Sequence, residues 1–256
     1  MLLHNKVCVI TGAASLRSIG YATAELFSEH GAKVVVVDLQ MNEKVLGAIQ
    51  ASIENRLGRP VSVHGLRCDI SKPEECEQMV RKVVEIHGTV DCLVNSAGIV
   101  KTQSLLDIAA KDLDVMLDVN LKGAFYLCQS VLKVFVEHGS GNIVNVSSLA
   151  AQRGGGLVGG AHYAASKGGM LSLTRSIARE FGVHGIRANA ICPAMIETPM
   201  LDGLSPERLK DIVEAIPLKR TGTTRELAGA CLFLASDLSG FVTGATIDVN
   251  GGTHIH

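Results

Sequence analysis

The sequence predicts an α/β fold: a single doubly wound domain whose seven-stranded, mainly parallel sheet carries helices on both faces. Short runs rich in Val, Ile and Ala alternate with helical patterns along all 256 residues. These runs are apolar on both sides, which is typical of parallel strands that helices cover from both faces. No linker, repeat or low-complexity block interrupts them, so we expect one domain over residues 1–256. The expected strands are Val7–Thr11, Lys33–Asp38, Val61–Cys68, Val90–Asn95, Asn142–Ser147, Arg187–Cys192 and Ala245–Val249.

Start and stop residues bound the helices between these strands. Ile19–His30 and Pro73–His87 each end immediately before a glycine, which commonly stops a helix. Ser71 is placed to cap the second of them, ahead of two glutamates in its first turn. The long amphipathic stretch His162–Gly182 predicts a further helix that packs one face on the sheet.

The composition excludes several classes of protein. Hydrophobic residues make up 47% and charged residues 19% of the chain, whereas disordered proteins are poor in apolar residues. The net charge of −1 lacks the basic excess of a nucleic-acid-binding protein, so we expect no nucleic-acid partner. No apolar run reaches the ~18 residues of a transmembrane helix, so we expect no membrane partner. The first strand begins so early that we expect no signal peptide.

Seven cysteines are scattered along the chain without a Cys-x-x-Cys pair. This pattern argues against a disulfide framework and against a metal site. It favours small buried hydrophobic residues in a reducing compartment. We therefore expect a cytoplasmic protein that holds no metal.

A glycine-containing turn joins the first strand to the first helix. Gly12 and Gly20 flank it, and such a unit places backbone N–H groups and a helix N-terminus at one point, where phosphate binds. Asp38 ends the second strand, 18 residues beyond Gly20, where a carboxylate accepts hydrogen bonds from the hydroxyls of an adenosine ribose. A plain tight turn and a strand-end cap are the structural alternatives for these two features.

The residue at the end of the second strand also bears on cofactor choice. The carboxylate of Asp38 would repel a 2′-phosphate, because like charges in contact are unfavourable. Arg17 is the counter-argument, since a guanidinium in this loop could reach that phosphate. On balance the sequence predicts NAD, with NADP as the less favoured alternative.

An ordered set of short motifs follows the same strand ends. The set consists of Thr11-Gly12 after strand one, Asn95-Ser96-Ala97-Gly98 after strand four, Asn120 within Val119–Gly123, Ser147-Ser148 after strand five, and Tyr163 with Lys167. Together they resemble the short-chain dehydrogenase/reductase family, and the match covers essentially the whole chain. The resemblance implies a Rossmann-type domain, with its cofactor half at about residues 1–140 and its catalytic and substrate half at about 141–256.

The catalytic expectations combine this resemblance with simple chemistry. Tyr163 and Lys167 are four residues apart, so both face one side of a helix. The ammonium of Lys167 is expected to lower the pKa of the Tyr163 phenol, which then works as acid or base. The resemblance implies that Ser148 holds the substrate oxygen and that Asn120 supports a water in the proton path. Ser147 remains the alternative to Ser148.

The resemblance also implies a set of contacts with a nicotinamide cofactor and a homotetrameric assembly. Backbone groups and polar side chains would hold the phosphates, the adenosine and the carboxamide. The expected contact residues are Gly12, Ser18, Ile19, Gly20, Asp38, Leu39, Asp69, Ile70, Asn95, Ala97, Gly98, Tyr163, Lys167, Pro193, Ile196 and Thr198.

The phosphate loop departs from the family's usual form. Gly12 and Gly20 lie eight positions apart, where six is usual, and the middle glycine is missing. The longer loop resembles that of bacterial enoyl-acyl-carrier-protein reductases, whose serine and following N–H contact the pyrophosphate. Those enzymes use Tyr-x6-Lys, whereas Met170 stands seven positions after Tyr163. The catalytic motif therefore favours carbonyl chemistry over enoyl chemistry.

The expected function is an NAD(H)-dependent oxidoreductase that interconverts a secondary alcohol and a ketone. Two alternatives stay open: a 3-oxoacyl-acyl-carrier-protein reductase using NADPH, and a cofactor-binding sensor or scaffold without chemistry. The segment Thr198–Pro217 is expected to form a helical lid over a small-molecule substrate. Arg153 either binds an acidic substrate or is simply solvated.

Overall fold

Seven strands form one sheet in the order β3-β2-β1-β4-β5-β6-β7, and every neighbouring pair is parallel. The structure is a computed structural model that describes residues 1–155 and 158–255. The order reverses between β1 and β4, which leaves a crevice at the carboxyl ends of the strands. The strands are β1 Val7–Thr11, β2 Lys33–Asp38, β3 Val63–Arg67, β4 Cys92–Asn95, β5 Gly141–Val146, β6 Ile186–Pro193 and β7 Thr246–Val249.

Helices cover both faces of this sheet, as the sequence predicts, so the expected α/β fold is confirmed. One face packs against α1, α2 and α9 and the other against α3, α5 and α7. The helices are α1 Ile19–Glu29, α2 Glu43–Leu57, α3 Pro73–His87, α4 Ala110–Leu117, α5 Gly123–His138, α6 Ala150–Arg153, α7 Ala161–Phe181, α8 Pro206–Ala215 and α9 Thr224–Ala235.

Strand β1 shows why a central strand is apolar on both sides. Val7 and Val9 belong to the buried cluster on the α3–α5–α7 face, whereas Cys8 and Ile10 belong to the cluster on the opposite face. Successive side chains of a strand point to opposite faces, so both sets must be apolar. Burial on both faces therefore replaces the alternating pattern of a half-exposed strand.

Several local bounds differ from the expected ones, and β4, for example, begins at Cys92 instead of Val90. Lys72, not Ser71, is the N-cap of α3, and its side chain makes no capping hydrogen bond. The Ser71 hydroxyl instead donates to the Asp69 carboxylate at 2.7 Å, which removes it from the helix end. The predicted strand Val61–Cys68 shortens to Val63–Arg67, which is the stretch that pairs in register with β2.

All seven cysteines are free and buried, as the sequence predicts. Within the residues that the structure describes, no helix has both the length and the apolar character needed to cross a membrane.

Gly20 lies in the first turn of α1, and its missing side chain lets the helix approach the strand end. A Cβ there would lie 2.5 Å from the Gly12 carbonyl oxygen and 2.8 Å from that of Thr11. We expect Gly20→Ala to lower the free energy of unfolding by about 1–3 kcal/mol, because backbone cannot move aside cheaply. Urea denaturation measures this change.

A matched control lies in the middle of α2. A Cβ on Gly47 would meet nothing within 4 Å, so Gly47→Ala is expected to stabilise the protein by up to about 1 kcal/mol through helix propensity alone. Equal effects of the two substitutions would contradict the close approach of helix and strand at Gly20.

Candidate active site

A cleft of about 1040 Å³ opens at the carboxyl ends of the strands, on the line where the strand order reverses. A cavity of this size can hold part of a dinucleotide together with a small substrate. Most of the site residues expected from the sequence line it. They are Gly12, Ser18, Ile19, Asp38, Leu39, Asp69, Ile70, Ala97, Gly98, Ser148, Tyr163, Lys167, Pro193, Ile196 and Thr198.

Three of the expected residues lie behind the wall of the cleft instead. Gly20 packs on the backbone of Gly12. The side-chain amide of Asn95 donates to the Asn145 carbonyl oxygen at 2.8 Å, inside the sheet. Asn120 is fully buried under the loop after β4. These three residues shape the site without forming its surface.

The phosphate loop ends in a helix N-terminus that is open to an anion. Ser18 caps α1 by accepting a hydrogen bond from the Tyr21 N–H at 3.0 Å, and no acidic residue stands in the first turn. Gly12 has φ of 72°, and a Cβ there would lie 2.8 Å from the backbone of Ala97. The backbone therefore forms a cradle that a side chain at Gly12 would fill, and the helix dipole favours negative charge beside Ile19.

The carboxylate of Asp38 is held at the end of β2 by two backbone donors. Its oxygens accept hydrogen bonds from the N–H of Ala14 at 3.1 Å and of Gln40 at 3.0 Å. Arg17 points away from it and makes a two-pronged ion pair with Asp202, at 2.8 and 2.6 Å. The pairing with Asp202 raises the pKa of Arg17 and lowers that of Asp202. The guanidinium of Arg17 in the phosphate loop is thus engaged in an ion pair with the segment before α8.

A short π-helix, Asp118–Lys122, interrupts the run from α4 into α5 and carries Asn120. The Asn120 side chain accepts from the N–H of Ile99 at 2.8 Å and donates to the carbonyl of the same residue at 2.9 Å. It also donates to the Ser166 hydroxyl at 3.2 Å. Widened turns of this kind occur often at functional sites. This one fastens the loop after β4 to the helix that carries Tyr163.

Lys167 is buried, and its amine donates to the Val146 carbonyl at 2.9 Å. Burial lowers the pKa of Lys167 to about 8. A Cβ on Gly98 would lie 3.1 Å from the Asn120 side-chain oxygen and 3.4 Å from the same amine, so the loop after β4 passes close to both side chains. The Ser147 hydroxyl donates to the Lys167 carbonyl at 2.8 Å, so this hydroxyl has a structural role in joining the end of β5 to α7.

Tyr163 shares the wall of the cleft with Ser148. Burial raises the pKa of the Tyr163 phenol, and a hydrogen bond with the Ser148 hydroxyl opposes this rise. The pKa thus departs in the direction opposite to the one predicted from Lys167. The reason is that the phenol is almost fully buried. The amine of Lys167 is hydrogen-bonded to a backbone carbonyl, and its own pKa is lowered by burial.

Sequence reasoning missed most of the wall that faces Tyr163. Gly159 has φ of 87°, and a Cβ there would overlap the Tyr163 ring. The lid expected over Thr198–Pro217 contains a short 3-10 turn and α8, and both contribute to the cleft. From the lid, Ile212, Ala215 and Ile216 line the cleft at helical spacing. The lining residues that were not anticipated lie in separate segments of the chain. They include Leu149, Ala150, Val158, Met195 and Thr253.

Comparison with known proteins agrees with this geometry. The sequence model of a family described as "Enoyl-(Acyl carrier protein) reductase" matches residues 12–254. A relative from Sinorhizobium fredii, named "Uncharacterized short-chain type dehydrogenase/reductase", is 45% identical over 100% of both chains. The chain belongs to the short-chain dehydrogenase/reductase family. It is therefore an oxidoreductase of a family that binds a nicotinamide cofactor.

Other short-chain dehydrogenases/reductases match over nearly their full length. A 3-oxoacyl-[acyl-carrier-protein] reductase of Thermotoga maritima is 38% identical over 98% of this chain and 99% of that protein. The crystal structure of levodione reductase superposes with a TM-score of 0.91 at 32% identity and covers 98% of both chains. The resemblance seen in the motifs is thus confirmed for the whole domain.

Proposed function

We propose that this protein is an NAD(H)-dependent oxidoreductase that interconverts a secondary alcohol and a ketone. The observation that carries the proposal is the shared wall of the cleft, which Tyr163, Ser148 and Lys167 all line and where the Ser148 hydroxyl hydrogen-bonds the Tyr163 phenol. A phenol whose pKa is raised by burial is protonated at neutral pH, so it is ready to donate a proton to a ketone oxygen.

Each side chain has a role that follows from its contacts. The Ser148 hydroxyl would hold the substrate oxygen within reach of Tyr163 while charge develops on that oxygen. Tyr163 donates its proton during reduction and accepts one during oxidation. Lys167 stabilises the phenolate form that remains after the proton leaves. Asn120 positions the loop after β4 and supports the path by which a proton is replaced. When bound, the nicotinamide supplies or accepts the hydride.

Residues along the cleft would hold the cofactor from its phosphates to its two ends. The cradle at Gly12 and the capped N-terminus at Ser18 and Ile19 would hold the pyrophosphate, and Asp38 would bind the ribose hydroxyls. Residues at the carboxyl ends of the other strands would complete the site. They are Asp69, Ile70, Ala97 and Gly98 for the adenosine end, and Pro193, Ile196 and Thr198 for the carboxamide.

Two observations favour NAD over NADP. Asp38 is fixed by Ala14 and Gln40, so its charge cannot turn away from a 2′-phosphate. Arg17 is engaged by Asp202 and does not offset that charge. A 2′-phosphate would meet a carboxylate without a cation beside it.

A 3-oxoacyl-acyl-carrier-protein reductase using NADPH is the second candidate, because the Thermotoga maritima relative bears that name. A cofactor-binding sensor is the third, and the complete set of Tyr163, Lys167, Ser148 and Asn120 counts against it.

We also propose a homotetramer in the cytoplasm. Exposed apolar side chains on α4 and α5, such as Val115 and Phe125, support assembly, and the free buried thiols support a reducing compartment.

Replacing Tyr163 by Phe removes the proton donor and leaves the shape of the cleft. We expect Tyr163→Phe to lower kcat by about 10²–10⁴ in ketone reduction, while NADH binding, followed by its fluorescence, persists. Tyr126→Phe is the control, since Tyr126 lies on α5 outside the cleft. If wild type binds NADH but turns over none of a broad panel of ketones and alcohols with either cofactor, the sensor is the correct reading.

Replacing Asp38 by Asn removes the charge and keeps an acceptor oxygen for only one of its two backbone partners, because Ala14 and Gln40 donate to different carboxylate oxygens. We expect Asp38→Asn to raise kcat/KM for NADPH by at least about tenfold relative to NADH, because the like-charge repulsion is lost. Adding Asp202→Asn releases Arg17 and should extend that gain. A wild-type preference for NADPH over NADH would contradict the proposed cofactor and favour the acyl-carrier-protein reductase.

A further inference from the structure

One charged side chain lies at the substrate end of the cleft without a charged partner. Within the described residues, four charged side chains line the cleft, and Asp38 and Asp69 lie at its cofactor end. Lys167 is the third and belongs to the catalytic wall. The fourth is Arg153, the last residue of α6, and it forms no ion pair with any described carboxylate.

The guanidinium of Arg153 is held in position by the chain's C-terminal tail. Its Nη1 donates to the Thr253 carbonyl at 3.1 Å, and Thr253 itself lines the cleft. A guanidinium has five N–H donors, so most of them are left for a ligand. Elsewhere in the molecule a comparable arginine, Arg220, uses its fork to bind the carboxylate of Glu226 at 2.9 and 2.6 Å.

Arg153 is connected to Ser148 through the short helix α6. This helix begins two residues after Ser148 and ends at Arg153, and its four residues rise about 6 Å. Ser148 and Arg153 therefore flank one short helix, and both line the cleft. A substrate whose oxygen lies against Ser148 would bring a group a few bonds away to the guanidinium.

The rest of the substrate end is apolar. Leu149 and Val158 line it from the catalytic side, and Met200, Ile212 and Ile216 line it from the lid. An apolar pocket with one positioned cation is suited to a ligand with a hydrocarbon body and one anionic group. The planar fork of arginine matches a carboxylate with two parallel hydrogen bonds.

We propose that Arg153 binds a carboxylate of the substrate and that the protein acts on oxo acids and the corresponding hydroxy acids with an apolar body. This inference rests on the proposed alcohol–ketone chemistry. Arg153 is a specificity-determining residue. It contacts a part of the substrate that does not react, so its loss should raise KM more than it lowers kcat.

The test compares each acid with its neutral ester. Acetoacetate and levulinate are assayed against their methyl esters with NADH, in wild type, Arg153→Gln and Arg153→Lys. We expect wild type to prefer the acids in kcat/KM, Arg153→Gln to lower that preference about tenfold, and Arg153→Lys to retain part of it through its charge. Arg179→Gln, on the exposed face of α7, is the matched control and should keep the wild-type preference.

Several outcomes would overturn the inference. Equal use of acid and ester by wild type would do so, as would an Arg153→Gln variant that loses acid and ester alike. Acetoacetyl-CoA provides a further comparison. If its turnover depends on Arg153 more strongly than the turnover of acetoacetate does, the arginine binds a phosphate instead of a carboxylate. If wild type reduces no ketone at all, the proposed function fails. Titration calorimetry of levulinate and its methyl ester, with wild type and Arg153→Gln, then decides the carboxylate site by itself.

Discussion

The buried amine of Lys167, bound to the Val146 carbonyl, is the interaction on which the candidate site depends. A cationic group removed from water is costly, so the surroundings must supply hydrogen bonds and shape. The hydrogen bond joins α7 to the carboxyl end of β5, and Ser147 adds a second link through the Lys167 carbonyl. Because Lys167 is fixed, Tyr163 is also fixed one turn earlier on the same helix. Gly98 passes close to both this amine and the Asn120 side chain, and a Cβ there would be tight against Asn120.

Parallel topology explains why residues far apart in sequence meet in one cleft. All seven strands point the same way, so the phosphate loop after β1, Asp38 after β2 and Gly98 after β4 share one edge of the sheet. The unusual phosphate loop alters this edge in a particular way. Without its middle glycine it still presents a capped helix N-terminus at Ser18, and its extra length carries Arg17 to Asp202 of the lid segment. The cofactor end and the substrate end are thus connected by an ion pair.

Much of the fold follows from sequence pattern, because burial on both faces leaves a clear apolar run in each strand. Most of the motif residues line the cleft for the same reason: strand ends are well defined, and Tyr163 and Lys167 stand one helical turn apart on α7. Other features depend on tertiary context. Ser71 bonds to Asp69 in place of α3, and burial reverses the expected direction of the Tyr163 pKa. The wall facing Tyr163 comes from loops such as those of Val158 and Thr253, whose proximity no local pattern encodes.

Tyr163 is a buried phenol whose pKa is raised by burial, and a hydrogen bond with Ser148 opposes the rise. The chain has three tyrosines, so ¹³Cζ-tyrosine labelling gives few NMR signals, and Tyr163→Phe assigns the relevant one. Titration of the protein without cofactor should place the pKa of Tyr163 above its ordinary value of 10.0, and Ser148→Ala should raise it further, because the opposing hydrogen bond is lost. A pKa at or below the ordinary value, or one that Ser148→Ala leaves unchanged, would contradict the account.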